Sequence, residues 1–156
     1  AQSDFGRMFD PIADKLMVLV CLVMLVSADI ITPVHLPAAI LIIAREVLVS
    51  GLREFLGKDA GPLKVTTLAK WKTTAQMVAI ATLFSQGIFE HHSALLLVEL
   101  EVKGSSLEDA ELSWMMLGSI WAGHFGLWLL WGAALLTLLT GWNYFQKALP
   151  LLKEKT

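Results

Sequence analysis

Two aspartates stand four residues apart at the mouth of the first apolar run. The stretch reads Gly6-Arg7-Met8-Phe9-Asp10-Pro11-Ile12-Ala13-Asp14-Lys15, so on a helix Gly6, Asp10 and Asp14 share one face. Carboxylates so spaced can hold a hard divalent cation through oxygen, or divide into a metal ligand and a general base. Glycine at the head of the stripe lets a backbone or ligand approach closely. A simpler reading makes Asp10 the N-cap of a helix whose first residue is Pro11, with Asp14 near the positive end of its dipole.

Cations form the second group. Arg45 and Glu46 fall in the middle of another apolar segment, and Arg53 lies nearer its end. Arginine at bilayer depth costs at least about 2.5–3.5 kcal/mol, so these side chains must face a polar cavity or a partner. Glu46, Ser50 and Arg53 share a face. Glu46 and Glu54 read as structural ion-pair partners. Arg45 and Arg53 read as anion ligands, because the guanidinium fork matches phosphate oxygens. Lys70 and Lys72 suit either membrane-surface anchors or anion ligands, and Thr73 and Gln76 offer neutral hydrogen bonds on the Lys72 face. His35, His91, His92 and His124 have no partner at metal-ligand spacing and read as structural.

The elements that must position these groups are membrane helices. Of 156 residues, 56% are hydrophobic and 17% charged, where soluble domains run at roughly 45–50% and 25%. Mean hydropathy is +0.64. The net charge of −2 and the single cysteine, Cys21, exclude a basic nucleic-acid module and a disulfide scaffold. Apolar runs of spanning length predict an all-α polytopic bundle with about four spans, near 11–31, 37–56, 72–89 and 123–142, with 112–122 as an interfacial or tilted extension. A loop is expected over Gly57–Ala69, and an acidic outer loop over 90–111. Arg7, Lys15, Lys58, Lys64, Lys70, Lys72, Lys147, Lys153 and Lys155 then fall on one side, which the positive-inside rule makes cytoplasmic. Gly118, Gly123, Gly126 and Gly132 suggest close helix contacts, including those of a homodimer. Trp121, Trp128, Trp131 and Trp142 read as interfacial belt and packing.

The spacing Gly6-x3-Asp10-x3-Asp14 resembles the second half of the signature of CDP-alcohol phosphatidyltransferases, D-x2-D-G-x2-A-R-x8-G-x3-D-x3-D. Phe9–Lys15 resembles the version in the branch that makes phosphatidylglycerophosphate. Ala44-Arg45-Glu46-Val47-Leu48-Val49-Ser50-Gly51-Leu52-Arg53-Glu54-Phe55 is similar to that branch's A-R-E helix. Lys70-Trp71-Lys72-Thr73-Thr74-Ala75-Gln76-Met77 is similar to its K-x-K-T-x-x-Q-M block, with Ala69 in place of glycine. The three blocks, in order, cover most of residues 4–83, and the remainder matches only in hydropathy.

The resemblance implies a single membrane domain over 1–156, the later spans of a six-span fold in a bacterial inner membrane, with the active site facing the cytoplasm. It implies phosphatidyl transfer from CDP-diacylglycerol to sn-glycerol 3-phosphate, aided by Mg2+ or Mn2+. Asp10 and Asp14 would be metal ligands and Asp14 also the general base. Gly6, Arg45, Arg53, Lys70 and Lys72 would bind substrate. The first half of the signature has no counterpart here, and the chain does not open on Met. It is therefore expected to start inside a longer protein that supplies the other carboxylates, and to be inactive alone. Two rivals remain: a relative with a serine, inositol-phosphate or phosphatidylglycerol acceptor, and a non-enzymatic cation transporter or assembly subunit.

Overall fold

The computed structural model describes residues 4–57, 67–103 and 109–154, without the side chains of 4–11, 67–70, 100, 101, 103, 109–111 and 151–154. Within the described residues the chain is all helix: α1 (Asp4–Ser27), α2 (Leu36–Leu56), α3 (Thr67–Lys103) and α4 (Asp109–Glu154). Helix α1 begins at Asp4, so Asp10 and Pro11 lie inside it. The N-cap reading of Asp10 is therefore wrong.

Helix α1 also stops before the expected Ile31. Asp29 takes the left-handed conformation at φ 57°, and the Asp29, Ile30 and Ile31 amides donate back to the Val26 and Leu25 carbonyls. The turn then closes on Thr32, whose carbonyl accepts from the His35 and Leu36 amides, and Pro37 enters α2 where a missing N–H costs nothing. At the other end of α2, Gly57 at φ 52° donates to the Arg53 and Glu54 carbonyls and ends the helix.

Helices α3 and α4 have 37 and 46 residues, roughly 55 and 69 Å at the α-helical rise. They form a long antiparallel hairpin. Leu83, Gln86 and Phe89 of α3 pack on Gly126, Gly123 and Gly118 of α4, and Phe89 meets Trp114 edge-on at 5.8 Å. Much of the expected loop over 90–111 is thus helical, as α3 runs on to Lys103 and α4 starts at Asp109. Residues 112–142 likewise form one unbroken helix.

The contacts set the directions of the helices. His35 meets Trp131 and Leu56 packs with Ala148, so α2 and α4 run parallel. Lys15 contacts Ser50 and Glu46 contacts Lys72, so α1 and α3 oppose α2. The core holds Leu22, Leu25, Ala38, Ile42, Ala79, Leu83, Leu130 and Ala133. Large apolar side chains also cover the exterior, including Val23, Leu48, Trp128 and Leu139, an arrangement that suits lipid rather than water. Among the described residues one helix, over Leu112–Pro150, is long and apolar enough to cross a membrane by length and composition.

Candidate active site

The buried stripes of the helices change character at one level of the bundle. On α2 the stripe runs Ala38, Ala39, Ile42 and then reaches Arg45 and Glu46. On α3 it runs from Leu83, Ile80 and Ala79 back to buried Gln76 and Lys72. On α4 it runs Leu130, Ala133, Ala134 and continues as Thr137 and Thr140. Helix α1 follows Leu25, Leu22 and Val18 with Lys15, one turn before Val18. Four apolar stripes therefore end in polar groups that face one another.

Glu46 is the centre of this polar layer. Its carboxylate pairs with Lys72 Nζ and, at 3.4 Å, with Arg45 Nη1. The Lys72 and Glu46 side chains are only 5% and 14% exposed, so the pairing offsets a large desolvation cost. Arg45 Nη2 donates to Thr140 Oγ1 at 3.4 Å, and the Thr140 hydroxyl donates to the Leu136 carbonyl at 2.8 Å. One turn along α2 from Glu46, Ser50 accepts a hydrogen bond from Lys15 Nζ. Among the described residues two cations thus share one carboxylate, with a third, Lys15, on Ser50 one turn away. Arg45 Nε, Gln76 Nε2 and Thr137 Oγ1 are buried without a hydrogen-bond partner among the described residues. Unspent donors beside excess positive charge are what a bound anion would complete.

The other expected site residues sit as follows. Arg53 is exposed two turns along α2 from Arg45, and its Nε donates to the Tyr144 hydroxyl at 3.4 Å. Asp14 is exposed on α1 beside Lys15, and no described group bonds its carboxylate. Gly6 and Asp10 are carried on the same helix, and Lys70 on the first turn of α3, but the side-chain positions of Asp10 and Lys70 lie outside the described residues. Among the described residues no three His, Cys, Asp or Glu side chains gather as a metal site.

Arg45, Glu46 and Lys72 are brought together, then, while Arg53 stands apart from them. Sequence reasoning placed Lys15 on this side of the membrane but not in the polar layer, and it missed Thr137, Thr140 and Tyr144 there. The run Leu136-Thr137-Leu138-Leu139-Thr140-Gly141 held the signal, since its threonines are three apart and so on one face. Two of the histidines make contacts within the bundle: His35 accepts from Trp131 Nε1 at 3.0 Å, and His124 Nδ1 contacts the Ile120 carbonyl at 2.9 Å.

The family model for CDP-alcohol phosphatidyltransferase matches residues 1–139. Three similar proteins carry the name CDP-diacylglycerol--glycerol-3-phosphate 3-phosphatidyltransferase. The one from Cereibacter sphaeroides is 49% identical over 161 residues, with 99% of this chain and 73% of that protein covered. Those from Rickettsia felis and Bacillus subtilis are 38% and 34% identical, with 92% and 97% of this chain covered. The chain spans 63% and 62% of the length of those two. No solved structure matches it.

Proposed function

The chain belongs to the CDP-alcohol phosphatidyltransferase family, and on that premise we propose that its protein transfers the phosphatidyl group of CDP-diacylglycerol to sn-glycerol 3-phosphate. The products are phosphatidylglycerophosphate and CMP, a step of phosphatidylglycerol synthesis. The observation that carries the acceptor assignment is the buried polar layer, where, among the described residues, Arg45 and Lys72 share the Glu46 carboxylate and Lys15 bonds Ser50 one turn away. A site with surplus fixed positive charge favours an acceptor that brings its own phosphate, as sn-glycerol 3-phosphate and inositol phosphate do, over serine, which brings none.

In this reading Arg45, Arg53, Lys70 and Lys72 hold the acceptor phosphate, and Gly6 allows close approach of the donor. The acceptor's primary hydroxyl attacks the phosphorus that bears diacylglycerol. The bond from that phosphorus to the CMP oxygen breaks, and its electron pair leaves with CMP. Asp14, open to solvent on α1, takes the hydroxyl proton. Asp10 and Asp14 are hard oxygen donors one turn apart on that helix, a donor set that fits Mg2+ or Mn2+ as part of a ligand shell. Such a cation, when bound, neutralises pyrophosphate charge.

The same reading makes the four helices spans of a bacterial inner membrane, with the polar layer at the cytoplasmic face. Lys15, Lys72 and Lys147 lie toward that end of the bundle, which supports the orientation. It also pairs two copies of the protein. Gly118, Gly123 and Gly126 of α4 are occupied by α3 and Gly141 by Arg45 of α2, while a Cβ at Gly132 would meet nothing within 4 Å.

The test uses the protein expressed from its complete reading frame and reconstituted with CDP-diacylglycerol and Mg2+. CMP release is expected with sn-glycerol 3-phosphate, and not with serine, inositol phosphate or phosphatidylglycerol. Release with one of those instead would reassign the acceptor. Cation flux without CMP release would overturn the enzymatic reading.

A further inference from the structure

We propose that the last helix positions the two arginines of α2 through Thr140, Gly141 and Tyr144. The inference rests on the acceptor-site reading above and assigns residues that neither the motifs nor that reading contains.

Thr140 and Tyr144 are four apart on α4 and share a face. Because α2 and α4 run parallel, that face meets α2 at Arg45 and again at Arg53. Each arginine then has one donor fixed by α4. Thr140 takes Nη2 of Arg45, and Tyr144 takes Nε of Arg53. The tyrosine ring also lies 5.8 Å from the Arg53 guanidinium carbon, and it is held by packing against Leu56 and Ala148.

Gly141 completes the arrangement. A Cβ there would stand 3.0 Å from Arg45 Cγ and 3.4 Å from its Nε, so the missing side chain is the channel through which Arg45 passes. Arg45 keeps Nε free of partners among the described residues, and Arg53 offers Tyr144 its Nε rather than a terminal nitrogen. An exposed arginine such as Arg53 needs no partner to offset burial, so Tyr144 serves to orient it. Long flexible side chains held in one rotamer lose less freedom when they bind a phosphate. Thr140, Gly141 and Tyr144 are therefore positioning residues that act through the arginines.

The experiment measures KM for each substrate and kcat in the full-length protein. Thr140→Val and Tyr144→Phe, which remove one hydroxyl each and keep the shape, should raise KM for sn-glycerol 3-phosphate about 3- to 10-fold. Gly141→Ala should do so by about tenfold or more. KM for CDP-diacylglycerol should stay within about twofold in all three. Thr140→Ser should recover the wild-type value, and Thr140→Val should add nothing in an Arg45→Ala background.

Equal effects on both substrates, a fall in kcat alone, or full additivity with Arg45→Ala would overturn the proposal and leave α4 a merely structural role. If Arg45→Ala and Arg53→Ala raise KM for the acceptor while Thr140→Val and Tyr144→Phe do not, the positioning proposal fails and the acceptor site stands. If the arginine variants themselves leave acceptor KM unchanged, the acceptor-site reading fails instead.

Discussion

Replacing the Glu46 carboxylate with an amide of the same shape, as in Glu46→Gln, leaves Lys72 and Arg45 buried against a neutral group. With the Lys72–Glu46 pair 5% and 14% exposed, loss of one partner should cost about 3–5 kcal/mol. Glu54, exposed on the same helix, should tolerate the matching change within about 0.5 kcal/mol. Thermal unfolding of both variants in one detergent checks the contrast, and equal melting temperatures would show that Glu46 does not neutralise the layer. The sequence made Arg45, Glu46 and Lys72 legible because a charge inside an apolar run has no cheap explanation. It left Thr140 and Tyr144 unread because a threonine in a membrane helix can satisfy its hydroxyl on its own backbone. Thr140 does donate to the Leu136 carbonyl, and only the rotation of α4 against α2 reveals that it also accepts from Arg45.

Among the elements, the α3–α4 hairpin is the longest packed unit, and the shorter helices pack against it. Its closeness depends on small residues. A Cβ at Gly126 would fall 2.8 Å from Leu83 Cγ and 3.3 Å from the Leu83 backbone nitrogen. Gly126→Ala should therefore destabilise by about 1–3 kcal/mol through overpacking. Gly132→Ala, with nothing within 4 Å in the chain, should be neutral or slightly stabilising within one copy. Unfolding curves of the two alanine variants separate these outcomes, and a reversed order would contradict the packing described.

The ends of the helices were less legible than their existence. Span length was used to set them, but no Gly or Pro occurs from Ile88 to Lys103, and Ala94–Val102 is rich in Leu and Glu, both good helix formers. Acidic composition suggested a loop where backbone preference supports a helix. At α1 the difference has another source: Pro11 suits a helix start, but it lies inside the helix that begins at Asp4.

For the whole molecule, the apolar core is that of any folded protein, and the apolar exterior with a polar layer at one end is what separates it from a soluble enzyme. Scarce charge is concentrated where a lipid-borne pyrophosphate and a water-soluble phosphate could meet. The central claim is that this layer reads the acceptor's phosphate, and discrimination between sn-glycerol 3-phosphate and plain glycerol measures it most directly. In the full-length protein, kcat/KM for CMP release should favour sn-glycerol 3-phosphate by about 10³-fold or more, because glycerol brings no phosphate to the surplus cations of the layer. Arg45→Met and Lys72→Met should each shrink that ratio by about tenfold or more, chiefly through loss on the phosphate-bearing acceptor. A ratio that both variants leave at its wild-type value would contradict the account, because the phosphate would then be held elsewhere.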